Sequence, residues 1–169
     1  MPIDAFNATL DLWINELNNY DFETLCRKPS ISGWSLGHVY MHLIENSQFC
    51  IEQINKCIQI NEHADMEASP HGKEMLSHNE FPDETIEGPP TNLLTPQPSG
   101  KEEVLESLQQ IRSEINALAN QPELNNSIGK SKHPGLSYLN AREWLQFAQM
   151  HLRHHLRQKK RIDAFLKMD

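Results

Sequence analysis

Residues 140–166 read NAREWLQFAQMHLRHHLRQKKRIDAFL, and the spacing within this stretch decides the fold. Asn140 followed three residues later by Glu143 has the form of a helix start, in which each side chain satisfies a backbone N–H of the other. Neither proline nor glycine interrupts the stretch. With His151 set at zero, Trp144 and Ile162 project at about 20° and Ala148 and Leu166 at about 60°, which marks the face turned to the core. On the same scale His155 falls at about 40° and Gln158 near about −20°, inside or beside that apolar stripe. Arg153, Arg157 and Lys160 project from the other side, and the spacing predicts a solvated basic face there.

The same periodicity marks three more helices. Phe6, Leu10, Trp13, Ile14 and Leu17 predict a first helix ending near Tyr20, with Asp4 as its N-cap. Leu36, Val39, Leu43, Cys50, Ile54 and Cys57 form the stripe of a second, over residues 35–60 and capped by Ser35. Residues 99–102 (Ser-Gly-Lys-Glu) read as a capping box, and Val104, Leu108, Ile111, Ile115 and Leu118 carry a third helix onward. Between the second and third, residues 61–98 lose periodicity and hold Gly72, Gly88 and the Pro89-Pro90 pair, which predicts a long loop. No strand pattern is evident. The expectation is an all-α chain, a four-helix bundle with a long loop between helices two and three, forming one domain over residues 1–169.

Composition narrows the function. The chain has 169 residues and a formal net charge of −8, which opposes nucleic acid, since that binding relies on neutralising phosphates. No apolar run approaches the roughly 20 residues of a membrane span, and the N-terminus lacks a secretory layout. A cytoplasmic protein without membrane association is expected. Cys26, Cys50 and Cys57, odd in number and without CxxC spacing, predict reduced packing thiols. The nine histidines are the anomaly.

His151 and His155, one turn apart in an apolar stripe, can reach a single ion, and neutral imidazole suits zinc, nickel, copper or iron. The competing reading is a pair of core histidines held by other side chains. Burying such rings without partners costs about 1–3 kcal/mol each, and no acidic neighbour on the helix supplies a partner. A third ligand should come from helix two, which offers His38 and His42. His42 lies at the inner margin of the apolar stripe, whereas His38 sits about 40° further out and near the helix start, where exposure is expected. His42 is the preferred ligand and His38 the alternative. Glu45, one turn after His42, is a candidate to accept a histidine N–H or act as a base, against the plain reading of a solvent-facing residue. His63, His71, His78, His133 and His154 read as surface or loop residues.

The segment WSLGHVYMHL (residues 34–43) resembles the Trp-Ser opening of helix two in the DinB/YfiT-like superfamily, whose metal-binding histidine matches His42. HLRHHLRQ (residues 151–158) is similar to the last-helix HxxxHxxQ signature of that family, with its metal-binding pair at His151 and His155. His133-Pro134 and Ser137, ahead of Trp144, resemble the approach to the last helix in relatives. Residues 61–98 depart from shorter members. The resemblance implies a DinB-type bundle, a divalent metal ion (zinc or nickel foremost), and chemistry like that of thiol-dependent S-transferases or a thiol-dependent isomerase. A low-molecular-weight thiol is the implied co-substrate, a small molecule the substrate, and a homodimer a common assembly among similar proteins.

Three neutral histidines leave at least one open position on an ion, as catalytic sites do. The expectation is therefore a metal-dependent transferase or hydrolase, with Gln158 placed to hydrogen-bond near the site. The alternative is a non-catalytic bundle in which the ion is a structural staple and the surface serves a partner.

Overall fold

In the computed structural model, residues 2–31, 33–82, 92 and 94–167 are described. The last helix, here α7 (Ala141–Leu166), starts as its sequence dictates: the Asn140 side chain accepts from the Glu143 N–H (2.9 Å) and the Glu143 carboxylate takes the Asn140 N–H (2.8 Å). It packs most extensively on α3 (Leu36–Gln59), then on α1 (Pro2–Leu17), and α5 (Lys101–Ala119) closes the bundle against α1 and α3. Trp13 sits at the centre, donating its indole N–H to the Leu152 carbonyl (3.1 Å), while the Tyr40 hydroxyl donates to the Trp13 carbonyl (2.8 Å). These long-range bonds fix α1, α3 and α7 in register, and each satisfies a polar atom that burial would otherwise penalise.

The all-α bundle is as expected, with several corrections in its connections. The first helix begins at Pro2, so Asp4 lies in the first turn rather than at the cap, where its charge still complements the positive helix end. That helix stops at Leu17, and a separate short α2 (Phe22–Cys26) comes next, capped by Asp21. Residues 61–98 are not without structure: α4 (Pro70–His78) occupies part of them, with Ser69 as N-cap, Pro70 in the first turn and Asn79 in a left-handed C-cap. Ser99 does not cap α5. Its backbone N–H and hydroxyl both bond Glu103 rather than Glu102, and Gly100 is the N-cap. Between α5 and α7 lie α6 (Glu123–Asn126) and a two-stranded antiparallel hairpin, β1 (Lys130–His133) and β2 (Ser137–Asn140), where no strand was expected. Ser131 and Leu139, paired across it, point into the core.

The basic face of α7 is also not simply solvated. Arg157 pairs with Glu80 (2.6 Å) and Arg153 donates to the Asn79 carbonyl, so the chain around α4 is strapped over this side. Further along α7, Lys159 is buried and donates to Glu16 (2.8 Å), Asp163 (2.7 Å) and the Tyr20 hydroxyl (2.7 Å). Burial and the hydrogen bond to Asp163 push the Tyr20 phenol up to about 12. The three cysteines are free thiols, as expected, and burial raises the pKa of each. Among the described residues no helix is long and apolar enough to cross a membrane.

Lys159→Ala is expected to lower stability by about 1–2 kcal/mol in urea unfolding, because it removes the shared donor of three partly exposed acceptors that water can still reach. Arg112→Gln, which removes the exposed pair with Asp11, should cost less than about 1 kcal/mol.

Candidate metal centre

Ser35 and Asn140 set where α3 and α7 begin, and thereby which residues of each face the seam between them. In that seam His42 from α3 meets His151 and His155 from α7. The Nε2 atoms of His42 and His151 are 3.2 Å apart, those of His155 and His151 3.1 Å, and one ring nitrogen from each residue lies within 4.8 Å of the others. Donors 3.1–3.2 Å apart, each about 2.05 Å from a shared ion, would subtend about 100° at it, between octahedral and tetrahedral values. Two of the three donor pairs thus have the separation of ligands to one ion, and the three residues together could hold a divalent metal.

The tautomer of one ring is set by its neighbour. His155 Nδ1 is 2.8 Å from the Gln158 amide oxygen, which can only accept, so Nδ1 carries the proton and Nε2 presents its lone pair to the cluster. Aromatic rings wall the trio: Trp34 meets His42 edge-on at 5.3 Å, Phe147 stacks on His151 at 6.0 Å, and Phe81 lies 6.0 Å from His151. This dry surround disfavours the imidazolium form. Burial holds His42 down to about 4 and, with the nearby His42, His155 down to about 3. His151 is also held well below its ordinary value, by burial and then by the neighbouring imidazoles. All three rings are neutral at physiological pH, the state in which imidazole binds metal.

His38, expected to be exposed, is buried instead. Its Nδ1 accepts the Ser35 N–H (3.3 Å) while the Ser35 hydroxyl oxygen accepts the His38 N–H (3.2 Å), so the ring does the work of a glutamate in a capping box and stays apart from the trio. Glu45 is exposed and outside the converging group. His63, His71 and His78 are exposed as expected. His133 takes a loop role at the hairpin turn and is half-buried there: its Nδ1 accepts from the N–H groups of Gly135 (3.0 Å) and Leu136 (3.1 Å), its ring packs on Trp144 and Phe147, and burial lowers its pKa to about 4. His154 is half-buried beside Phe81, at 5.0 Å. The enclosing role of Phe81 had no sequence signal, since it comes from a segment without periodicity. Trp34 was visible as part of a motif, without its contact to His42.

A family model of the DinB superfamily matches residues 5–158, a span that takes in all three converging histidines and Gln158, and the chain belongs to that superfamily. No curated protein and no solved structure matches it.

The depressed histidine pKa values have a consequence for the metal-free protein. The unfolded chain takes up protons near pH 6.5, whereas the folded one resists them until about pH 4 or below, so stability is full above 6.5 and falls as the pH drops. Urea midpoints of metal-free protein should decline between pH 6.5 and 5, above the range where most carboxylates titrate. A flat profile over that interval would contradict a dry, neutral trio.

Proposed function

We propose that the protein is a metal-dependent enzyme in which His42, His151 and His155 hold one divalent ion, zinc or nickel, with a coordination position left for water or substrate. The observation that carries this reading is the convergence of three neutral ring nitrogens, drawn from two helices and more than 100 residues apart in sequence, at separations suited to a shared ion. Three neutral donors leave the charge of the ion uncompensated, and this favours an anionic fourth ligand; when bound, the ion would supply a hydroxide or a thiolate at neutral pH. Thiol-dependent S-transfer or hydrolysis is the reaction class that fits.

The contributions of the chain are positional. Gln158 fixes the His155 tautomer and ring plane, as an outer partner does for a ligating imidazole. Trp34, Phe147 and Phe81 keep water off the rings and strengthen electrostatic interactions inside the seam. Among the described residues no carboxylate joins the converging group, and none of them is assigned as a general base.

His155→Ala is expected to abolish stoichiometric zinc or nickel binding while the far-UV helical signal persists, and Gln158→Leu to weaken binding by about 10–100-fold. Full metal retention by His155→Ala would overturn the assignment. Metal removal should eliminate turnover in a thiol-substrate screen with the bundle still folded. Unfolding upon metal removal, with no turnover in the loaded protein, would favour a structural staple instead.

A further inference from the structure

Beside the trio, on the side of Gln158, the surface opens into a cleft of about 280 Å³ lined by Pro29, Trp34, Gln158, Arg161 and Ile162. Two of its walls belong to groups already placed: Trp34 touches His42, and Gln158 holds His155. The cleft therefore lies beside His42 and His155, with Trp34 and Gln158 standing between it and those two rings. We propose that it is an anion subsite that takes a small organic acid, the apolar body lying against Trp34 and Ile162 and the carboxylate on the Arg161 guanidinium.

The charge inventory of the cleft supports this. Its lining offers donors and no carboxylate: the Arg161 fork, and the Gln158 NH₂, whose amide oxygen is already engaged by His155. Arg153, Arg157 and Lys159 on the same helix are each bound by acceptors of the protein, whereas Arg142, Lys160 and Arg161 are exposed without an ion pair or hydrogen bond among the described residues, and of these three Arg161 is the one that lines the cleft. In a chain of net charge −8, a cation left unpaired beside a concave aromatic wall is suited to an anion from outside. Lys28 adds to the positive surroundings, its charge acting with burial to hold the His38 imidazole down. Arg161 lies six residues beyond His155, about 9 Å along the helix axis, and side chains lean back toward the N-terminus. The two residues are also about 120° apart around the axis, so a molecule with its carboxylate on Arg161 has to extend past Gln158 to bring a reacting group to the trio.

As a substrate subsite the cleft rests on the metal-dependent reading above, whereas its binding of an anion does not, and the two can fail separately. The test uses the full chain, metal-free and zinc-loaded, with benzoate as probe and benzamide as its neutral counterpart. Dissociation constants come from calorimetry, and the indole N–H resonance of Trp34 reports the place of binding. Benzoate should bind both forms saturably and shift that resonance, and benzamide should bind about tenfold or more weakly. Arg161→Gln should cost about tenfold in benzoate affinity, with Arg161→Lys in between and zinc stoichiometry unchanged in both. Equal benzoate affinity in Arg161→Gln, or no saturable binding by the wild type, would overturn the subsite. Binding that needs zinc and ignores Arg161→Gln would place the carboxylate on the ion, ending this inference and leaving the metal assignment intact. Benzoate binding through Arg161 in a chain that takes up no zinc would do the reverse.

Discussion

Three imidazoles held nitrogen to nitrogen in the seam between α3 and α7 are the constraint around which this structure is arranged. Such rings are poor core residues. Each carries a polar nitrogen that water would otherwise satisfy, and facing Nε2 atoms 3.1–3.2 Å apart repel when both present lone pairs and no cation stands between them. Keeping them together requires that both helices start at fixed residues, that water be excluded, and that at least one tautomer be locked. Ser35 and Asn140 meet the first requirement, the rings of Trp34, Phe147 and Phe81 the second, and Gln158 the third.

The same helix, α7, meets different demands on its several faces. Trp144 and Ile162 lie in the core, His151 and His155 face α3, and Arg153 and Arg157 hold the chain beyond α4 so that Phe81 comes down over the trio. Lys159 ties the far end of α7 to Glu16 of α1 and to Tyr20 in the connection after it. These polar ties fix α7 against sliding or turning, motions that would separate the imidazole nitrogens before they disrupted the apolar packing.

The bundle and the trio were legible because both are written in local periodicity: a stripe repeating every three to four residues, with histidines lodged in it, can be projected without knowledge of the partner helix. His42 was preferred over His38 on angle and on the exposure expected near the helix start, and only the first of these grounds holds. The burial of His38 could not be seen, because it depends on a reciprocal bond with Ser35 for which glutamate is the usual partner. Ser69-Pro70 is a helix start in sequence as well, but amid prolines it read as a break, and α4 is too short to show periodicity. The hairpin has strands of four mostly polar residues around the Pro134-Gly135 turn, so alternation had little to act on. Contacts between distant segments, Arg157 with Glu80 above all, left no trace in the pattern.

The choice of histidine at the start of α3 bears on the electrostatics of the neighbourhood. A carboxylate at residue 38 would complete the capping box equally well, but it would place a formal anion against Trp34, whose ring stacks over His38 at 6.2 Å, and one turn from His42. That anion would compete for any cation drawn to the seam and repel acids approaching Arg161. An uncharged hydrogen-bond acceptor lets the helix begin tightly without introducing a rival negative charge, so the demands of helix initiation and of the adjacent surface are met by one side chain.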